Sequence, residues 1–165
     1  MTEVKKQKII QGVTIDKIGH GGIGIARQAD GRKILITGGV LPGMKVDVLV
    51  TKGRKDYVEG KVYHIHSYDP TFSPVEKVIC PHYFFHADDG LDHQGLGEEK
   101  VGCGGCKRQI LSYDKQLLLK SQIITDSFRH IKDVIAAVGI MPFVPAPEVF
   151  GYRNKIEYSF GKYIS

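Results

Sequence analysis

Over residues 9–66 apolar and polar positions alternate in short stretches cut apart by glycine. Ile9, Val13, Ile15 and Ile18 alternate loosely and predict a first strand over 9–18. Gly19, His20, Gly21 and Gly22 make a turn, and residues 23–27 read as a second strand. Asp30-Gly31 is a short hairpin signal, followed by a third strand over 33–37. A break from Gly38 to Gly43, containing Pro42, precedes a clean alternation over 45–50. A turn at Gly53, Arg54, Lys55 and Asp56 leads into a fifth strand over 57–65.

Beyond this point the pattern changes. Residues 66–79 carry Pro70, Pro74 and several small polar residues, which places a domain boundary there, with domains at 1–68 and 69–165. Residues 84–100 lack periodicity and read as an acidic, glycine-rich insertion loop. Their Asp88, Asp89 and Asp92 do not meet the spacing of an EF-hand calcium loop. Tyr113, Leu117, Ile124, Phe128, Ile131, Ile135 and Val138 fall at helical spacing. They predict one amphipathic helix of about 25 residues whose apolar stripe belongs to a core. Ser112 is placed to cap it and Gly139 to stop it, with Pro142 beyond. Residues 141–149 are proline-rich and extended, and 151–161 alternate as a last strand.

Five short strands of this spacing point to a small closed or nearly closed β-barrel of OB type. With the helix that follows, the fold class is α+β.

The 165 residues correspond to about one to one and a half ordinary domains. No apolar run approaches the ~20 residues of a membrane-spanning helix. The basic N-terminus has no apolar stretch behind it, so it is not a secretory signal. Three cysteines, scarce and odd in number, fit a reducing compartment and a cytoplasmic protein. The net charge of +5 is carried by the first segment. Residues 1–69 hold 12 Lys and Arg against 7 Asp and Glu, whereas 70–165 hold 11 of each. A basic barrel is suited to contact with a phosphate backbone. Lys17, His20, Arg27, Lys33, Arg54 and Lys55 are the candidate phosphate contacts, and Tyr57 the candidate stacking ring.

All three cysteines lie between residues 80 and 106. Cys103-Gly104-Gly105-Cys106 is a knuckle that brings two thiolates within a short turn, and Cys80 lies outside it. Cys80, Cys103 and Cys106 are therefore candidate ligands of a metal or an iron–sulfur centre. A zinc site would take His82 or His86 as its fourth ligand and make the chain a free-standing nucleic-acid-binding module, whereas an iron–sulfur site would need a fourth cysteine. Thiol–disulfide chemistry of a CxxC pair belongs to a βαβ setting, which the surrounding pattern does not show.

Two sets of residues resemble known families. Gly19 to Arg27 (GHGGIGIAR), the Asp30-Gly31 hairpin and Gly38 to Gly43 (GGVLPG) before an alternating strand resemble a TRAM domain. That resemblance implies an RNA-binding β-barrel attached to an RNA-modifying enzyme. Cys80-Pro81-His82, the knuckle with Lys107, Arg108 and Gln109, then Tyr113 to Gln116 and Lys120, and Tyr152 to Ser159 form the second set. They resemble the N-terminal part of the SAM-dependent RNA (uracil-5-)-methyltransferases of the 23S ribosomal RNA type.

The second resemblance implies a 4Fe–4S cluster with Cys80, Cys103 and Cys106 as its first three ligands and a fourth beyond residue 165. It also implies an incomplete α/β central domain over 69–165. A structural role is expected for the cluster, because methyl transfer from SAM needs no electron. The Cys80 to Cys103 gap departs from the family pattern, being longer than its usual few residues. The SAM site, catalytic cysteine and general base are expected past Ser165, so no catalytic residue is assigned. The chain alone is expected to be inactive, with ribosomal RNA and the absent methyltransferase domain as its partners.

Overall fold

The computed structural model describes residues 8–80, 83, 108–152 and 154–155. Six strands come first: β1 (Ile9–Thr14), β2 (Lys17–Ile18), β3 (Gly24–Arg27), β4 (Lys33–Thr37), β5 (Lys45–Gly53) and β6 (Tyr57–Ser67). They form one sheet in the order β1-β5-β6-β4-β3-β2. Only β4 and β6 run parallel; the other neighbours are antiparallel.

This order explains why the sheet has six strands where the alternation predicts five. β1 and β2 occupy opposite edges, yet only Ile15 and Asp16 separate them in sequence. One continuous stretch thus pairs with β5 through its first half and with β3 through its second. The two edges must approach each other, so the sheet curls into a half-barrel. The corner is held by Ile15 N–H to Met44 O (2.9 Å), Gly43 N–H to Ile15 O (2.8 Å) and Asp16 N–H to Ile25 O (2.9 Å).

The alternation of the sequence sorts the side chains. Ile34, Ile36, Val46 and Val48 point inward and are fully buried beside Ile15, Leu41 and Met44. Gly60, in β6, sits where β5 passes close over it. A Cβ there would lie 2.8 Å from the Leu49 carbonyl oxygen and would strike Val48. The predicted Asp30-Gly31 hairpin is present: Gln28 N–H bonds Arg32 O at 2.8 Å, and Gly31 has φ +84°.

A buried carboxylate secures β1. Asp47 accepts from Gly12 N–H at 2.8 Å, at the point where β1 bulges, and from His66 Nε2 at 2.7 Å. The His66 hydrogen bond chiefly holds the Asp47 carboxyl below its usual 3.8; burial opposes this and the Gly12 N–H adds to it. A depressed carboxyl stabilises the fold fully above its unfolded value and loses that effect as pH falls through the folded value. Urea unfolding is therefore expected to show a loss of stability below about pH 4. Asp47→Asn should flatten that acid limb.

The chain after β6 does not leave the barrel. Asp69 caps a short 3-10 turn (Pro70–Phe72), accepting from Thr71 N–H at 2.8 Å, and Phe72 is buried. Phe72, Tyr83, Ile110, Leu111 and Leu119 share one core cluster with the barrel residues, so packing crosses the boundary drawn at 68 and 69. Val75 N–H to Ile110 O (2.8 Å) and Lys115 Nζ to Ser73 Oγ (2.9 Å) tie the stretch after β6 to the start of α1.

Two helices replace the single one predicted. α1 (Tyr113–Ser127) and α2 (Lys132–Val138) are separated by a 3-10 turn (Arg129–Ile131). Ser127 Oγ donates to Ile123 O at 2.7 Å, a back-bond that competes with the helical ladder and favours a bend at this point. Ser112 precedes α1 without a side-chain cap, and Gly139 stops α2 with φ +76° as predicted. The predicted core stripe also differs. Leu119 and Ile123 face the barrel core, whereas Phe128, Ile131 and Val138 are exposed. Residues 140–152 are irregular, tied to α1 by Ala146 N–H to the Tyr113 hydroxyl at 2.7 Å. The strand predicted over 151–161 lies largely outside the described residues, as does the loop over 84–100.

Candidate nucleic-acid interface

Strand register puts the outward-facing residues of four strands side by side. Lys17 on β2 pairs with Ile25 on β3, and Ile25 with Leu35 on β4. One step along, Arg27 pairs with Lys33, and Lys33 with Tyr57 on β6. The intervening residues, Ile18, Ala26, Ile34 and Val58, are buried, so these two rows occupy the outer face of the curled sheet.

The rows form the floor of a groove of about 600 Å³. Ile25, Leu35 and Tyr57 are half-buried in it, flanked by Lys17, Arg27 and Lys33. Asp56, on the turn between β5 and β6, also lines it. Arg129, on the turn after α1, supplies a fourth cation from outside the barrel. Lys17 Nζ lies 3.7 Å from Asp126 Oδ2, which links the end of α1 to β2 beside the groove. Both side chains are about one-third exposed, so the pair orients more than it stabilises.

Four cations around an apolar and aromatic floor match the two parts of a nucleotide: phosphates at the rim and bases on the floor. A neighbouring cleft of about 450 Å³ on α1's side of Lys17 is different in charge. Asp16, Asp69 and Asp126 line it, and their carboxylates repel a polyanion.

Of the seven residues that the sequence offers for RNA contact, the groove gathers Lys17, Arg27, Lys33 and Tyr57. Arg54 and Lys55 are exposed on the adjoining turn, and His20 sits on the His20–Gly22 turn; none of the three lines the groove. Ile25, Leu35, Asp56 and Arg129 were not singled out from sequence. Strict alternation with buried neighbours marks Ile25 and Leu35 as outward, but no sequence signal brings Arg129 to β4.

For the cysteines, Cys80 is described and Cys103 and Cys106 lie outside the described residues, with His82 and His86. Cys80 is a half-buried free thiol packed against the core. Its amide donates to Gln109 Oε1 at 2.8 Å, so it lies close to the chain three residues after Cys106. Arg108 anchors that same chain to the barrel through Val40 O at 3.1 Å. Burial pushes the Arg108 guanidinium pKa down, with Tyr83 opposing. Among the described residues no group of three His, Cys, Asp or Glu could hold a metal ion. No described helix is long and apolar enough to cross a membrane.

A family model described as the TRAM domain matches residues 8–63, which are β1 to β6 almost end to end. The curled sheet is a TRAM domain. The wider chain is homologous to proteins named RNA methyltransferases. One, an uncharacterized RNA methyltransferase of Caldanaerobacter subterraneus, is 33% identical over 149 residues, covering 90% of this chain and 28% of that protein. Another, from Thermosynechococcus vestitus, is 30% identical over 92% of this chain and 30% of its own length. The 23S rRNA (uracil(1939)-C(5))-methyltransferase of Methylococcus capsulatus is 33% identical over 86% of this chain and 26% of its own length. The chain thus spans between a quarter and a third of the length of these relatives. The matches run past the TRAM domain into the segment of α1 and α2.

Proposed function

We propose that this chain is the RNA-binding N-terminal part of an RNA (uracil-5-)-methyltransferase acting on 23S ribosomal RNA. The observation that carries the reading is the groove on the TRAM domain, where Lys17, Arg27, Lys33 and Arg129 surround Ile25, Leu35 and Tyr57. The named relatives supply the enzyme class and the ribosomal substrate. In this reading residues 1–68, joined by Arg129 of the following segment, bind RNA, and residues 69–165 begin a central domain. SAM supplies the methyl group in the whole protein.

The same reading assigns Cys80, Cys103 and Cys106 to a 4Fe–4S cluster. A soft thiol at Cys80, partly accessible and held near the chain that follows Cys106, suits such a ligand set. When bound, the cluster would brace the segment between Cys80 and α1 and supply no electron to methyl transfer. The chain's own residues do the recognition: the four cations hold phosphates, and the groove floor holds unpaired bases.

Binding of a short single-stranded fragment of ribosomal RNA tests the reading. Single-stranded contacts contribute a salt slope of about −0.7 each, so four cations give about −3. Between about 50 and 200 mM salt the affinity should fall about fiftyfold. Salt-independent binding, or none at low salt, would remove the RNA-binding function.

A further inference from the structure

We propose that the groove is a nucleobase pocket that selects guanine, and that Asp56 is the residue that reads the base. This deepens the RNA-binding reading above and rests on it. Phosphate binding alone explains the rim of cations, but not the rest of the groove. Ile25, Leu35 and Tyr57 present an apolar and aromatic floor, which suits the face of a base. The volume of about 600 Å³ is in the range of sites that enclose small ligands.

Among the described residues Asp56 is the one carboxylate that lines this groove. Among the described residues it makes no hydrogen bond and no ion pair, although Lys17, Arg27, Lys33 and Arg129 line the same space. A carboxylate beside a polyanion weakens binding unless it accepts hydrogen bonds in return. Ionised, it can only accept, through two oxygens a fixed distance apart. Guanine presents two adjacent donors, N1–H and the N2 amino group, which match both oxygens at once. Adenine and cytosine offer one amino group on that edge, and uracil one imide N–H. Asp56 and Tyr57 line the same groove, so a base lying against the ring can turn its edge toward the carboxylate.

The test uses the full chain and four pentanucleotides of single-stranded RNA: four uridines around a central guanosine, adenosine, cytidine or uridine. Fluorescence anisotropy should show the guanosine pentamer binding about tenfold tighter than each of the others. Asp56→Asn should erase that preference, because its amide offers one acceptor and a donor that opposes an N–H. The salt slope should stay unchanged. Equal binding of all four, or a guanosine preference that survives in Asp56→Asn, would overturn guanine selection while leaving RNA binding intact. Failure of every pentamer to bind at low salt would overturn the RNA reading itself.

Discussion

Reversing Arg27, Lys33 and Arg129 to glutamate is expected to weaken RNA binding by about a hundredfold or more at low salt, and to cut the salt slope by about 2. The three side chains are exposed, so the fold should survive the change. Each lost cation removes one phosphate contact, and each new carboxylate adds repulsion. The slope separates this loss from misfolding, because it counts the phosphate contacts that remain. A control keeps net charge from being mistaken for a site. Lys52, Lys61 and Lys77 are exposed lysines that do not line the groove, and their reversal makes the same change in total charge. If the control loses as much affinity as the groove variant, binding follows the overall positive charge and the groove has no special role. Arg129 carries particular weight here, since it lies outside the TRAM match at 8–63. Its single reversal should weaken binding even though every TRAM residue is intact.

Phe72→Ala is expected to produce the largest loss of stability, about 3–5 kcal/mol. Phe72 is 3% exposed and packs in the cluster that also holds Ile15, Leu41, Ile110, Leu111 and Leu119. It lines the cleft between the barrel and α1 together with Leu119 and Ile123. Truncation removes the apolar contact between the two segments and leaves a cavity that the curled sheet cannot collapse to fill. Because the core is shared, denaturant unfolding should remain a single transition at a lower midpoint. RNA affinity should fall with it, since α1 positions Arg129. A variant with two transitions, the barrel's unchanged, would show that barrel and helix are independently stable.

Much of the barrel was legible in the sequence because period-2 alternation reports a half-buried strand directly. Asp30-Gly31 and Gly139 were readable for a similar reason: each position needs a positive φ that glycine supplies without strain. Where the readings missed, tertiary closure or local competition decided the outcome. Nothing in residues 9–18 says that one strand must turn a corner at Ile15 and serve both edges of the sheet. The helix bends where Ser127 donates to Ile123 O, and periodicity is blind to that bond. Periodicity also failed to choose the buried side of α1, because Leu117, Leu118 and Leu119 are consecutive and point in different directions. The structure buries Leu119.

The groove was half visible. Lys17, Arg27, Lys33 and Tyr57 are outward residues of predicted strands, so charge and alternation together found them. His20, Arg54 and Lys55 carry the same kinds of side chain but sit on turns, where alternation gives no face. Arg129 reaches the groove only because Phe72, Ile110 and Leu119 dock α1 on the barrel, a long-range consequence that local pattern does not encode.

The most direct measurement is amide chemical-shift mapping of the full chain during titration with a short single-stranded RNA. The shifts should concentrate on Lys17, Ile25, Arg27, Lys33, Leu35 and Tyr57, and extend to Arg129 on the far side of the groove. Shifts gathered instead around the Asp16, Asp69 and Asp126 cleft, or spread evenly over the exposed lysines, would contradict it.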